Sequence, residues 1–133
     1  MRLEVLDAWL AALRSGEFAK GRGRLVRLYD DDYDDDAEYC CLGVLCELAR
    51  RDRVPLEVED VHPEHACVAR SFDGNHSYLP VAVQRWAGLS ESNPRLDPDR
   101  GDAYTLAALN DASTTFEPVI EVLERWRARE VGT

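Results

Sequence analysis

Apolar side chains recur every three or four positions where the chain begins. Leu3, Leu6, Trp9, Leu10 and Leu13 share one face of a helix, and Glu4, Asp7, Ala11 and Arg14 share the other. This spacing predicts a helix over 3–15. Gly16 stops it, since glycine enters the left-handed region at little cost. The stretch 20–24, Lys-Gly-Arg-Gly-Arg, reads as a loop, and 25–29 as a short strand. A second helical pattern follows. Cys41, Leu45 and Leu48 line up, and so do Leu42, Cys46 and Ala49, predicting a central helix that starts near Asp36 and runs to Arg50. Cys40, Gly43, Glu47 and Arg50 form the only stripe left for an edge or for solvent, so this helix is buried on most of its circumference.

The second half is more broken. Residues 51–65 are mostly polar and carry Pro55 and Pro63, which reads as connector. Residues 67–72 alternate as a strand, Asp73-Gly74 signals a tight turn, and Tyr78-Leu79 returns as a second short strand. Pro80 suits the first turn of a helix that ends at Gly88. Residues 90–101 read as loop, and Asp102 caps a short helix to Leu109. Thr114 or Thr115 caps a last helix whose buried face is Phe116, Val119, Ile120, Leu123 and Trp126. The expected architecture is mainly α within the α+β class. It is one compact helical domain over 1–133 with a small β-hairpin.

Composition narrows the function classes. A chain of 133 residues with 45% apolar residues can bury a core and is not a disordered acidic tail. Its formal net charge of −10 excludes the basic footprint of a nucleic-acid reader. No apolar run is long enough to cross a bilayer. Glu4 and Asp7 interrupt any signal-peptide core, so the cytoplasm is the expected compartment. The acidity is partly local: Asp30, Asp31, Asp32, Asp34, Asp35, Asp36 and Glu38 supply seven charges, which leaves −3, the difference from −10, for the rest. An acidic surface of this kind suits a protein partner with a basic surface, and can imitate the charge of nucleic acid.

Several residue sets bear on chemistry. Cys40 stands where a helix dipole can stabilise a thiolate, with His76 or His62 as the base, but the neighbouring aspartates oppose that charge. His62, His65 and Cys67 lie within six residues and form a zinc set that Cys40 or Cys41 completes, although the spacing matches no zinc knuckle. Asp30, Asp32 and Asp34 begin like a calcium loop, but the sixth position is Asp35 and the twelfth is Cys41. The aspartates also suit a helix N-terminus, where Asp36 can cap. Asn110 and Asp111 can hold a ligand or cap a turn, and capping is the favoured use. No cofactor is expected.

Together the motifs resemble a known family. They are Trp9 with 12–16 (Ala-Leu-Arg-Ser-Gly), 39–48 (Tyr-Cys-Cys-Leu-Gly-Val-Leu-Cys-Glu-Leu), 78–80 (Tyr-Leu-Pro), 86–89 (Trp-Ala-Gly-Leu) and 109–111 (Leu-Asn-Asp). The chain looks like a family of small uncharacterised proteins of bacteriophages and actinobacteria, over nearly its whole length. That resemblance implies an intracellular accessory role and brings no activity. The opening of the cysteine block also resembles the Asp-Cys-Ser-Gly-Leu-Val start of papain-like cell-wall peptidases, which implies a cysteine-dependent hydrolase using Cys40. The expected function is a small acidic protein-binding module. The hydrolase and a zinc-stabilised domain are the alternatives.

Overall fold

The computed structural model describes residues 1–29, 37–64, 67–97 and 104–132. Among these residues the order is α1 (Leu3–Arg14), β1 (Val26–Leu28), β2 (Glu38–Tyr39), α2 (Cys41–Arg51), β3 (Val58–Glu64), β4 (Cys67–Phe72), α3 (Val81–Ala87), α4 (Leu106–Asp111) and α5 (Glu117–Gly132). The strands form one antiparallel sheet in the order β2-β1-β4-β3.

The apolar periodicity explains the helices. Val5, Leu6, Trp9, Leu10 and Leu13 are the buried face of α1, which packs on α5 and α2. Gly16 and Gly88 both lie in the left-handed region just past a helix end. Helix α2 is the hub: Cys41 to Glu47 and Ala49 are all buried. The stripe expected to reach an edge is covered by the chain itself at Cys40, Gly43 and Glu47, and reaches solvent at Arg50. A Cβ on Gly43 would lie 1.8 Å from the Leu25 carbonyl oxygen, so only glycine lets the residue before β1 lie against the helix. Glu47, on the same stripe, pairs with Arg50 and with Arg70 of β4. Each tryptophan is anchored by its indole N–H, Trp9 to the Cys41 carbonyl, Trp86 to Asp52 and Trp126 to the Leu96 carbonyl.

The expectation of a mainly helical domain with one hairpin is overturned. Among the described residues 44% are helix and 19% strand, with a four-stranded sheet, and the fold is α+β. Asp73 and Gly74 do form a tight turn, with φ of 53° and 83°. The chain closes it with only the Phe72–Asn75 bridge, and Tyr78-Leu79 is not a strand. The partners of β4 are instead β1 and β3. Strand β3 occupies what read as connector. It is an edge strand, where Pro63 removes an N–H at a register shift between Val61 and Glu64 without breaking a central ladder. Strand β2 takes two residues that read as the start of the central helix. Tyr39 donates its N–H to the Ala19 carbonyl, and Gly21 donates to the Tyr39 carbonyl, so the Lys20–Arg24 segment is stitched to the sheet.

Candidate functional site

The first turn of α2 gathers residues that separate motifs had singled out. The helix begins at Cys41, not near Asp36, and Cys40 is its N-cap. A helix leaves its first N–H groups without partners inside the helix. Here the Gly43 N–H donates to the Cys40 sulfur at 3.4 Å, and the Cys41 N–H donates to Asn110 Oδ1 at 3.1 Å. Asn110 lies on α4 and is fully buried. Its Nδ2 donates to the Gly21 carbonyl at 3.0 Å and to Asp111 Oδ1 at 3.2 Å. Asp111 Oδ1 in turn accepts from the Gly23 N–H at 2.9 Å. One amide therefore ties the central helix, the glycine-rich segment and α4 together. Asn110 bonds the first turn of α2 from across the fold, and Asp111 holds the Gly23 N–H of the glycine-rich segment.

The chemistry of the junction follows from its burial. Loss of hydration pushes the Cys40 thiol up to about 11, against the pull of the Gly43 and Leu42 N–H groups. Burial also holds the Cys41 and Cys46 thiols well above their ordinary value. Lys20 is lowered, first by burial and then by Arg22. At neutral pH the three thiols keep their protons, and a neutral thiol is a poor nucleophile. His76 points its ring at Ser77 and Arg24, while its carbonyl accepts from the Leu25 N–H. His62 is exposed on β3. Neither histidine hydrogen-bonds to Cys40 among the described residues.

The other sequence candidates stay apart. Asp30, Asp31, Asp32, Asp34, Asp35, Asp36 and His65 lie outside the described residues, so the acidic-loop, calcium and Asp36-cap readings fall there too. Cys67 sits half-buried at the start of β4, opposite Glu64. Among the described residues no three His, Cys, Asp or Glu side chains gather as metal ligands. A cleft of about 390 Å³ is bounded by Leu89, Pro94, Arg95 and Trp126, and none of the candidate site residues lines it.

A second feature was not legible as a site. Strand β3 carries Glu59, Asp60 and Glu64 exposed to solvent, with Glu57 just before it. Arg70 reaches Asp60, and Arg24 reaches Glu64, but the carboxylates remain more than half exposed. Asp73 donates its N–H to the Glu57 carbonyl, which fixes the phase of the ladder. In an antiparallel pair hydrogen-bonding direction alternates along a strand. Glu57, Glu59 and Val61 therefore face β4, Val58 and Asp60 turn their N–H and C=O groups outward, and the His62 N–H, opposite the Val61 carbonyl across the peptide plane, turns outward too. The signal available in sequence was Val58 and Val61 among acids, one turn-length upstream of the strand at 67–72.

Residues 1–127 match the model of a domain of unknown function, DUF8296. The chain belongs to that family. No curated protein and no solved structure matched it. The family match gives the chain a kinship without an activity. In the fold the quoted motifs converge: Trp9 and Asn110 meet at Cys41, and Gly43 meets Leu25.

Proposed function

We propose that this chain is a small acidic protein-binding module whose partner presents a basic surface. The observation that carries this reading is the row of exposed carboxylates at Glu57, Glu59, Asp60 and Glu64, on a sheet edge whose outward backbone groups are open. The net charge of −10 adds a field that steers a basic protein toward the chain and opposes direct binding to nucleic acid. The setting we propose is the cytoplasm of a bacterial host, in an accessory role like that of the phage proteins its motifs resemble.

Affinity capture by the purified chain at low and high ionic strength tests this. A basic protein retained at low salt and released at high salt is the expected result, because exposed charges are screened beyond a Debye length of roughly 10 Å at 0.1 M. Retention of partners that lack a basic surface, or retention indifferent to salt, overturns the reading.

A further inference from the structure

Strand β3 ends the sheet, and nothing among the described residues pairs with its far side. Its four consecutive pairs with β4, from Val58–Phe72 to Val61–Ala69, hold it in a regular extended form. The N–H and C=O groups of Val58 and Asp60, and the His62 N–H across the peptide plane from the Val61 carbonyl, consequently project outward, the template on which another strand can form. The row has a defined end. Past Val61 the register shifts, and Pro63 offers no N–H.

Charge selects what can occupy this edge. Alternation puts Glu57 and Glu59 on one face of the sheet, and Asp60 on the other. An added strand meets a carboxylate whichever face its side chains take. A second copy of this chain would bring acids against acids, and like charges directly opposite are destabilising. A strand with Lys or Arg at alternate positions meets Glu57 and Glu59 when its charges take one face, and Asp60, which Arg70 also pairs, when they take the other.

We propose that β3 is a docking edge on which an extended basic segment of a partner protein adds as a fifth strand, along Val58 to His62. This rests on the reading of the chain as an acidic binding module, and it names the surface and the chemistry of the partner. Backbone hydrogen bonds supply the fit, and the carboxylates supply the selection. Pro63 and the register shift limit the added strand to about five residues, which suits a reversible encounter.

The test uses the intact chain and three synthetic peptides: an alternating Lys-Val hexapeptide, its Glu-Val counterpart, and the Lys-Val peptide N-methylated on the amides that face β3. Amide hydrogen exchange is read residue by residue while affinity is measured. With the Lys-Val peptide the Val58, Asp60 and His62 amides slow, whereas Glu59 and Val61, already paired with β4, change little. The Glu-Val peptide does not bind. N-methylation keeps the charge, removes the edge bonds and weakens binding about tenfold, the worth of roughly one hydrogen bond. Asp60→Pro, which deletes an outward N–H, has a comparable effect, and Asp60→Asn, which keeps it, has a smaller one. Salt-sensitive binding with no change at those three amides, or equal binding of the methylated peptide, overturns the docking edge and leaves the acidic-module reading standing. Absence of salt-sensitive binding by any basic peptide overturns both. Protection of the same amides in the free chain, rising with its concentration, makes a second copy the occupant and also overturns the proposal.

Discussion

The first turn of α2 and the outer side of β3 face the same physical problem and resolve it in opposite ways. Both present backbone N–H groups that have no partner within their own element. In the interior such a group is costly unless it is bonded. The helix start is buried, and every resource of the neighbourhood is used there. A cysteine sulfur takes the Gly43 N–H, and an asparagine from α4 takes the Cys41 N–H. The strand edge lies at the surface, where water serves the same groups. Carboxylates guard it there, and no side chain of the described residues seals it. The contrast teaches where this chain spends its specificity: the junction fixes one fold, and the edge stays available.

The largest effect is expected from Gly43→Ala. Its Cβ would fall 1.8 Å from the Leu25 carbonyl oxygen, and backbone must move to admit it. A loss of about 3–5 kcal/mol in urea unfolding is expected. A loss below about 1 kcal/mol would mean that β1 is not held against α2 as described. Asn110→Ala comes next, since it strands the Cys41 N–H and the Gly21 carbonyl inside the fold. About 2–3 kcal/mol is expected, by the same measurement.

The junction also predicts a pH dependence. The Cys40 pKa is raised on folding, so the folded state holds its proton more tightly than the unfolded state does. The stability this contributes is fully present below the unfolded value of 9.0 and is lost as pH rises through it toward about 11. Cys41 and Cys46 act in the same direction. Urea midpoints measured from neutral pH upward should fall across that window, and Cys40→Ala should flatten part of the fall. Thiol labelling at neutral pH separates the regions directly. Half-buried Cys67 should react with iodoacetamide readily, whereas Cys40, Cys41 and Cys46 should react only after unfolding. Fast labelling of Cys40 in the native protein would break the contrast. The smallest effect is at the edge: Glu59→Gln should change stability by no more than about 0.5 kcal/mol while weakening capture of a basic partner at low salt.

The parts of the fold legible in sequence were those governed by local periodicity. Helices α1, α3 and α5 follow from apolar spacing and from Gly16, Pro80 and Gly88. Strand β1 follows from a short apolar run, and β4 from alternation before the Asp73-Gly74 turn. What escaped was set by distant partners. Tyr39 continues the apolar run of α2, and only its pairing with Val26 of β1, backed by bonds to Ala19 and Gly21, makes it strand. Strand β3 has one wet edge and a proline, so its composition matches a connector. Cys40 and Asn110 were visible as interesting residues, but for separate chemistries. The bond that unites their surroundings spans 69 positions from Cys41 to Asn110, and no local pattern encodes it.

Amide hydrogen exchange in the free protein tests the central contrast most directly. The Cys41 and Gly43 amides should exchange only through global unfolding, while Val58, Asp60 and His62 exchange near the rate of an unstructured peptide. Protection of the β3 set equal to that of the α2 set, or rapid exchange at Cys41 and Gly43, would contradict a sealed junction beside an open edge.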